Sequence, residues 1–319
     1  MHVQKYIVQR LLLAIPTMLG VTVVVFVMVR AVPGDIVALL AGDFGSVSEE
    51  TKAAMLADFG LDDNVPVQYV NWLRDIVQLD LGTSLISGRS VTSELSRRIP
   101  ISFELAILGQ LLSVAIAIPI GIFSAIRQNS AGDYVGRSVA IGFLAAPNFW
   151  IGLILIVAAS RYFQWGVPPT SYVGFTDDPI GNLKLMFVPA IILGTGGSGN
   201  LMRYTRTTML EVLRQDYVRT AWAKGLDERT IIVRHALRNS LIPVVTLIGL
   251  GLPGLIGGTV LIEAIYSIPG MGRYYVGAIN SLDFPVVQGI NLVIALTVVL
   301  SNLLVDLTYP LLDPRIKYS

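Results

Sequence analysis

The chain of 319 residues contains no cysteine and only two histidines, His2 and His235. Disulfides, thiolate catalysis and cysteine-based metal sites are therefore excluded, and a multi-histidine metal centre has too few ligands. Charge is scarce as well. Asp, Glu, Lys and Arg make up 14% of the residues, against about 25% in a typical soluble domain. Hydrophobic residues supply 53% and the mean hydropathy is +0.67. Disorder and an ordinary soluble enzyme are both ruled out by that balance. The 23 basic and 22 acidic residues leave +1, without the basic excess of a nucleic-acid binder. No G-x-x-x-x-G-K-[ST] phosphate loop occurs, nor any Gly-Lys dipeptide, so a nucleotide-driven process needs another subunit.

What the chain has in abundance is long charge-free windows, at 11–29, 105–126, 138–160, 185–202, 239–262 and 284–305. Each is close to the ~20 helical residues that cross a ~30 Å hydrocarbon core. An all-α membrane protein with six transmembrane helices is predicted. The fourth window is the weakest, because LGTGGSGN at 193–200 is small and polar. It reads as a span, with a broken or re-entrant helix as the alternative. The first window is too long for a signal-peptide core of about 7–15 residues, and Arg30 would sit at the cut. A retained span is expected.

Charge placement sets the orientation. With both termini inside, the segments 1–10, 127–137, 203–238 and 306–319 carry 14 Lys/Arg in 71 residues. The outer segments 30–104, 161–184 and 263–283 carry 9 in 120. The excess lies inside, as expected for a cytoplasmic membrane protein. Arg97 and Arg98 oppose the trend, and the 203–238 segment outweighs them. The organisation reads as a first span plus an extracytoplasmic segment over 1–100, then a five-helix core over 101–319. Within the extracytoplasmic segment, 48–59 looks helical and 67–78 amphipathic, with Tyr69 and Trp72 suited to a membrane interface. A packing spacer and a docking surface are both open for it.

Residues 203–240 read RYTRTTMLEVLRQDYVRTAWAKGLDERTIIVRHALRNS, the most charged stretch of the chain. Apolar Met209, Val212, Leu213, Tyr217, Ala221 and Trp222 recur at helical spacing. Gly225 is placed to end that helix as a left-handed cap, and a second basic helix leads into the next span. A short helix held at the surface between two spans is a handle, through which a soluble partner can tilt them.

DYVRTAWAKGLDERTIIVRHALRNSLIPVV resembles the cytoplasmic coupling loop of permease subunits of ABC importers, closest to the dipeptide/oligopeptide/nickel branch. RLLLAIPTMLGVTVVVFVMVRAVPGD, AAPNFWIGL at 145–153 and VLIEAIYSIPGMGRYYVGAINSLDFPVVQG at 260–289 agree with it. The resemblance implies the type I importer permease architecture and a place in the inner membrane of a bacterium or archaeon. It implies a chain without chemistry of its own, forming half of a translocation pathway, for di- or oligopeptides. Nickel, glutathione and some sugar systems share the permease type. Expected partners are a second homologous permease, two cytoplasmic ATPases that carry the ATP and Mg²⁺, an extracytoplasmic solute-binding protein, and lipid. This chain is expected to bind no cofactor or metal. The resemblance places ATPase coupling at Asp216, Tyr217, Arg219, Ala221, Ala223, Lys224, Gly225, Leu226, His235, Leu237, Arg238 and Asn239. Arg219, Thr220 and Ala221 stand where the general importer pattern has Glu-Ala-Ala.

Candidates for the pathway or an outer gate are Glu104, Asn148, Ser198, Pro269, Gly270 and Gly272. Glu104 and Asp306 lie at span rims, where hydration or a helix-end role competes with a pathway role. Asn148 either lines a polar path or bonds across helices. Residues 263–285 read as an outer gate or docking element by the resemblance, and as an interfacial turn by composition. An ion-driven carrier is the alternative transport class, but such carriers usually show internal repeats and deep charges, and neither is evident. Gly196-Gly197-Ser198-Gly199 also fits the G-x-S-G of six-span intramembrane serine proteases. No span contains the histidine base that a serine nucleophile needs, and close helix packing explains the glycines better.

Overall fold

The computed structural model describes residues 2–30, 63–163 and 172–312, and among them the chain is helical without a strand. The helices are α1 (His2–Arg30), α2 (Val65–Val77), α3 (Val91–Ile126), α4 (Ala131–Ala145), α5 (Asn148–Ala158), α6 (Pro179–Leu213), α7 (Asp216–Ala223), α8 (Arg238–Ile265), α9 (Met271–Asn280) and α10 (Phe284–Leu312). A π turn, Ala159–Phe163, prolongs α5, and Glu228–Thr230 with the π stretch Ile231–Leu237 leads into α8. The helix expected near 48–59 lies outside the described residues.

Five helical stretches are long and apolar enough to cross a membrane: Ile7–Met28, Val91–Ile126, Pro179–Leu213, Glu228–Ile265 and Phe284–Leu307. The third charge-free window is different. It falls across α4 and α5, which meet at 94°. Proline forces its predecessor out of the helical region, and Ala146 is accordingly extended, at φ −92° and ψ 121°. The break thus falls in the third window, and the suspected fourth forms one unbroken helix of 35 residues. Its glycines serve packing: a Cβ on Gly194 would lie 3.0 Å from the Gly109 carbonyl of α3, and one on Gly199 2.7 Å from the Ala140 carbonyl of α4. Backbone approach of this kind needs small residues.

These contacts also fix direction. Gly109 packs on Leu193 and Gly121 on Met202, so α3 and α6 run parallel. The chain has to recross between them, and the bent pair, counted as one span, is that crossing, which brings the passages among the described residues to six. Helix α8 returns antiparallel, with Ser240 at Met209 and Gly258 at Leu193. Helix α10 reverses again, with Val305 against Gly249. Arg10 of α1 pairs with Asp306 of α10 at 3.1 Å. Both terminal helices therefore place residues 10 and 306 toward the end of the bundle that carries the 203–240 segment. Near its other end, α1 receives α2: the Tyr69 and Thr22 hydroxyls are 2.8 Å apart, and Phe26 packs edge-on to Tyr69 and beside Trp72. The two aromatics expected at an interface thus stack on the first span.

The largest apolar core joins α3, α6, α8, α9 and α10 through residues such as Leu105, Leu193, Ile262, Met271 and Ile290. Helices α3 and α6, of 36 and 35 residues, are each about 50 Å long at 1.5 Å per residue. That exceeds a ~30 Å hydrocarbon core. Their ends project from it, α6 at the 203–240 end and α3 at the opposite one.

Candidate functional site

From Met202, the last residue of the apolar window, α6 continues 11 residues to Leu213, carrying the chain about 16 Å further. There α7 is laid down. An isolated helix of eight residues has no stability of its own, so its packing decides its existence. Val218 and Ala221 are buried against Ile231, with Val212 and Leu213 alongside. Directly beneath, Met209, Ala236 and Ala125 of α3 form a second apolar cluster. The short helix is therefore seated on the ends of three long ones.

Two polar devices lock it. Gly225 has φ +75°; its N–H donates to the Trp222 carbonyl at 3.0 Å, and the Leu226 N–H to the Ala221 carbonyl at 3.4 Å. This pair of bonds is the Schellman stop. The Tyr217 hydroxyl donates to the His235 carbonyl at 3.3 Å and accepts from Asn239 Nδ2 at 2.8 Å. One phenol thus ties α7 to the π stretch and to α8. The next turn is started by Asp227, whose carboxylate accepts from the Thr230 N–H at 2.9 Å. Bonding to the Thr230 side chain and backbone holds the Asp227 carboxyl below the usual carboxylate range.

The outward face is amphiphilic. Tyr217 is 43% exposed, Trp222 49% and Leu226 37%, among the exposed Asp216, Arg219, Thr220, Ala223 and Lys224. Asp216 and Arg219 pair at 3.4 Å on the open surface, a contact of little energetic weight. His235 contributes its backbone carbonyl to the Tyr217 lock, Leu237 accepts the Ser240 hydroxyl, and Arg238 is exposed. The residues named from the resemblance thus lie close together on α7 and the stretch leading into α8, most of them exposed and Ala221 buried beneath. Aromatic and apolar side chains stand exposed on an ordered, braced helix.

Sequence reading missed the group that braces the long helices beneath α7. Arg206 of α6 grips Asp133 of α4 with two parallel bonds, Nε to Oδ1 at 2.9 Å and Nη2 to Oδ2 at 2.8 Å. The Ser124 hydroxyl of α3 donates to the same carboxylate, and the Asn129 N–H joins at 3.0 Å. Asp133 is fully buried. The two partners stand 73 positions apart, and nothing in their local sequence announces the pairing; an aspartate at a span rim was the available signal.

At the opposite end, the 263–285 element is built around Glu263, which is fully buried. Its carboxylate accepts from the N–H groups of Gly272 at 2.7 Å and Arg273 at 3.2 Å, while the Ser102 hydroxyl accepts from Met271 N–H at 2.8 Å. A carboxylate at a helix N-terminus is favoured by the dipole and the free N–H groups. The Pro269-Gly270-Met271-Gly272 run makes room: a Cβ on Gly270 would meet the Glu263 carboxylate, and the Ser102 hydroxyl at 2.7 Å. Nearby, Asp283 accepts from the Ser84 hydroxyl and from the Leu85 N–H at 3.1 Å, tying the segment before α3 to the start of α10.

The remaining candidates do not gather into one cluster. Glu104 lies against Asn182 of α6, and its Oε1 is buried without a partner. Burial first, and then the neighbouring Glu104 carboxyl, push the Tyr172 hydroxyl above its ordinary pKa. Asn148 packs on Gly196, and Ser198 is fully buried, donating to the Thr195 carbonyl at 2.7 Å. Asp306 is engaged with Arg10.

A bundle of membrane-spanning helices with a braced, exposed helix beyond its apolar zone defines a multi-pass membrane subunit. Comparison gives that class a family. The chain belongs to the binding-protein-dependent transport system inner membrane components, matching the family over residues 117–318 and its N-terminal part over 3–106. It is 38% identical over 317 residues to the oligopeptide transport system permease protein AppB of Bacillus subtilis, covering 98% of this chain and 99% of the relative. It is also 38% identical over 339 residues to the dipeptide transport system permease protein DppB of Escherichia coli K12, covering 99% of each. A putative peptide transport system permease of Brucella abortus is similar to the same degree over 313 residues. The chain is a multi-pass permease of the cytoplasmic membrane.

Proposed function

We propose that this permease carries di- or oligopeptides inward, forming half of the pathway beside a second, homologous permease. Two cytoplasmic ATPases bind and hydrolyse ATP with Mg²⁺, and an extracytoplasmic binding protein delivers the peptide. The observation that carries the mechanism is the seat of α7. Its exposed Tyr217, Trp222 and Leu226 offer a grip, while buried Val218 and Ala221 pass any displacement to α6, α8 and the end of α3. ATP-driven closure of the ATPases moves α7, and the long helices move with it as levers. On this reading the 203–240 end lies in the cytoplasm, in accord with its basic charge. The Glu263-capped α9 and the Asp283 tie stand at the outer end, where the binding protein docks. The supporting relatives are named as peptide permeases.

The test is uptake by the complete complex in proteoliposomes, with its binding protein and labelled di- and oligopeptides outside. The expected result is accumulation that requires ATP and falls in Trp222→Ala with normal reconstitution. Accumulation driven by an ion gradient without ATP would contradict the proposal.

A further inference from the structure

Between α3, α4 and α6, at the 203–240 end, lies a cavity of about 400 Å³. Its polar wall holds Arg137, Arg203 and Asn129, and its apolar wall Ile141, Leu144 and Met202. Arg206 also borders it, but Asp133 neutralises that charge. Arg137 and Arg203 have no acidic partner among the described residues. Arg203 reaches the Asn200 side chain at 3.4 Å, and Arg137 lies 5.8 Å from the Tyr134 ring centre. The cavity therefore carries two uncompensated positive charges.

Its depth is set by the sequence. Arg137 immediately precedes the charge-free window 138–160, Arg203 immediately follows 185–202, and Asn129 lies just past 105–126. Three apolar windows thus end at one level, where hydrocarbon gives way to headgroups. The apolar wall points into the windows. The flank of α4 beside it is open and greasy, with Val135 63% and Ile141 65% exposed.

We propose that this cavity is a binding site for an anionic phospholipid, with the headgroup phosphate between Arg137 and Arg203 and an acyl chain along Ile141 and Leu144. Basic pockets between membrane helices on the cytoplasmic side suit such headgroups. The site also has a consequence for transport. A lipid seated there braces α3, α4 and α6 where the Asp133–Arg206 pair joins them, just beneath α7. The inference concerns the membrane zone and is independent of the cargo.

The test is native mass spectrometry of the purified complex in mild detergent, titrated with phosphatidylglycerol, with phosphatidylcholine of the same chains, and with inorganic phosphate. Phosphatidylglycerol is expected to bind selectively. Each of Arg137→Ala and Arg203→Ala is expected to weaken it about fivefold, and both together about 25-fold, with the lipid-free melting temperature unchanged. Because the chain has no cysteine, Ile141→Cys carries a unique photo-crosslinker in this subunit, and capture of phospholipid is expected. Equal binding of phosphatidylcholine, equal affinity in the double variant, competition by inorganic phosphate at the same concentrations, or capture of a protein subunit from position 141 would each overturn the proposal. If lipid-free melting falls in the alanine variants, Arg137→Gln and Arg203→Gln provide the affinity comparison.

Discussion

Replacing Gly225 separates the backbone requirement of the α7 stop from every other contribution. The residue sits at φ +75°, and a Cβ there would meet no atom within 4 Å. Among the described residues steric crowding is therefore absent, and conformational energy acts alone. An L-residue in the left-handed region costs about 1–2 kcal/mol, with asparagine the tolerant exception. Gly225→Ala should thus disfavour the stop by that amount, reducing its population relative to an unlatched form by about 5–30-fold. Proline is worse in two ways. Its ring holds φ near −65°, so the turn cannot form, and the N–H that donates to Trp222 is lost, a bond worth about 1 kcal/mol. With α7 too short to survive alone, its exposed face is no longer presented in one pose. ATPase activity and peptide uptake of the reconstituted complex are the paired readouts, with membrane level as the control. Uptake per ATP is expected to fall in the order glycine, asparagine, alanine, proline, with Gly225→Pro uncoupled but still inserted. Normal uptake in Gly225→Pro would refute the coupling role. Equal losses with asparagine and alanine would refute the backbone argument and point to crowding by a docked partner.

Other perturbations reach the remaining parts of the site. Arg206→Met leaves Asp133 buried and unpaired, which costs about 3–5 kcal/mol. A clear drop in melting temperature is expected in detergent, largely restored by adding Asp133→Leu; an unchanged melting curve in the single variant would contradict a buried pair. Tyr217→Phe removes the hydroxyl bonds to the His235 carbonyl of the π stretch and to Asn239 of α8, about 1 kcal/mol each, and faster hydrogen exchange over 216–223 is the check. Gly270→Ala drives a methyl into Glu263 and Ser102, so α9 should be displaced and uptake lost while ATPase docking persists; full uptake would show the close approach to be dispensable. The Asp227 cap depends on pH. Its carboxyl is held below the ordinary range by Thr230, so the stabilisation is complete above the unfolded pKa and is lost as pH falls through the lower, folded value. Exchange protection around Thr230 should be flat from neutral pH down to about pH 5 and decay only in stronger acid.

The spans were legible because their signal is collective. Some twenty uncharged residues in a row have one physical solution, and no single residue carries it. The left-handed stop at Gly225 was legible for the opposite reason, since one residue type at one place suffices. The fourth window is the span it reads as, whereas the break at Ala146–Pro147 falls in the third window, which reads as unbroken although Pro147 is in view. A glycine run is consistent with unwinding or with close packing, and only the neighbouring helix decides; α3 and α4 lie on Gly194 and Gly199. The projecting turns of α3 before residue 105 carry Glu94, Arg97 and Arg98, so hydropathy ends there while the helix does not. Pairings across the bundle were invisible. Asp133 with Arg206, and Glu263 with the α9 N-terminus, depend on which helices become neighbours. Even so, the residues named for coupling did come together, because most of them lie within one short, locally encoded turn.

The most direct test of the account is a photo-crosslinking amino acid in place of Trp222, activated in native membranes and followed by identification of the captured protein by mass. Trp222 is half exposed on the face assigned to docking. The account predicts capture of a cytoplasmic ATPase, and with it the sidedness of the bundle. Capture of an extracytoplasmic protein, or an intact importer complex in which position 222 captures no ATPase, would contradict it.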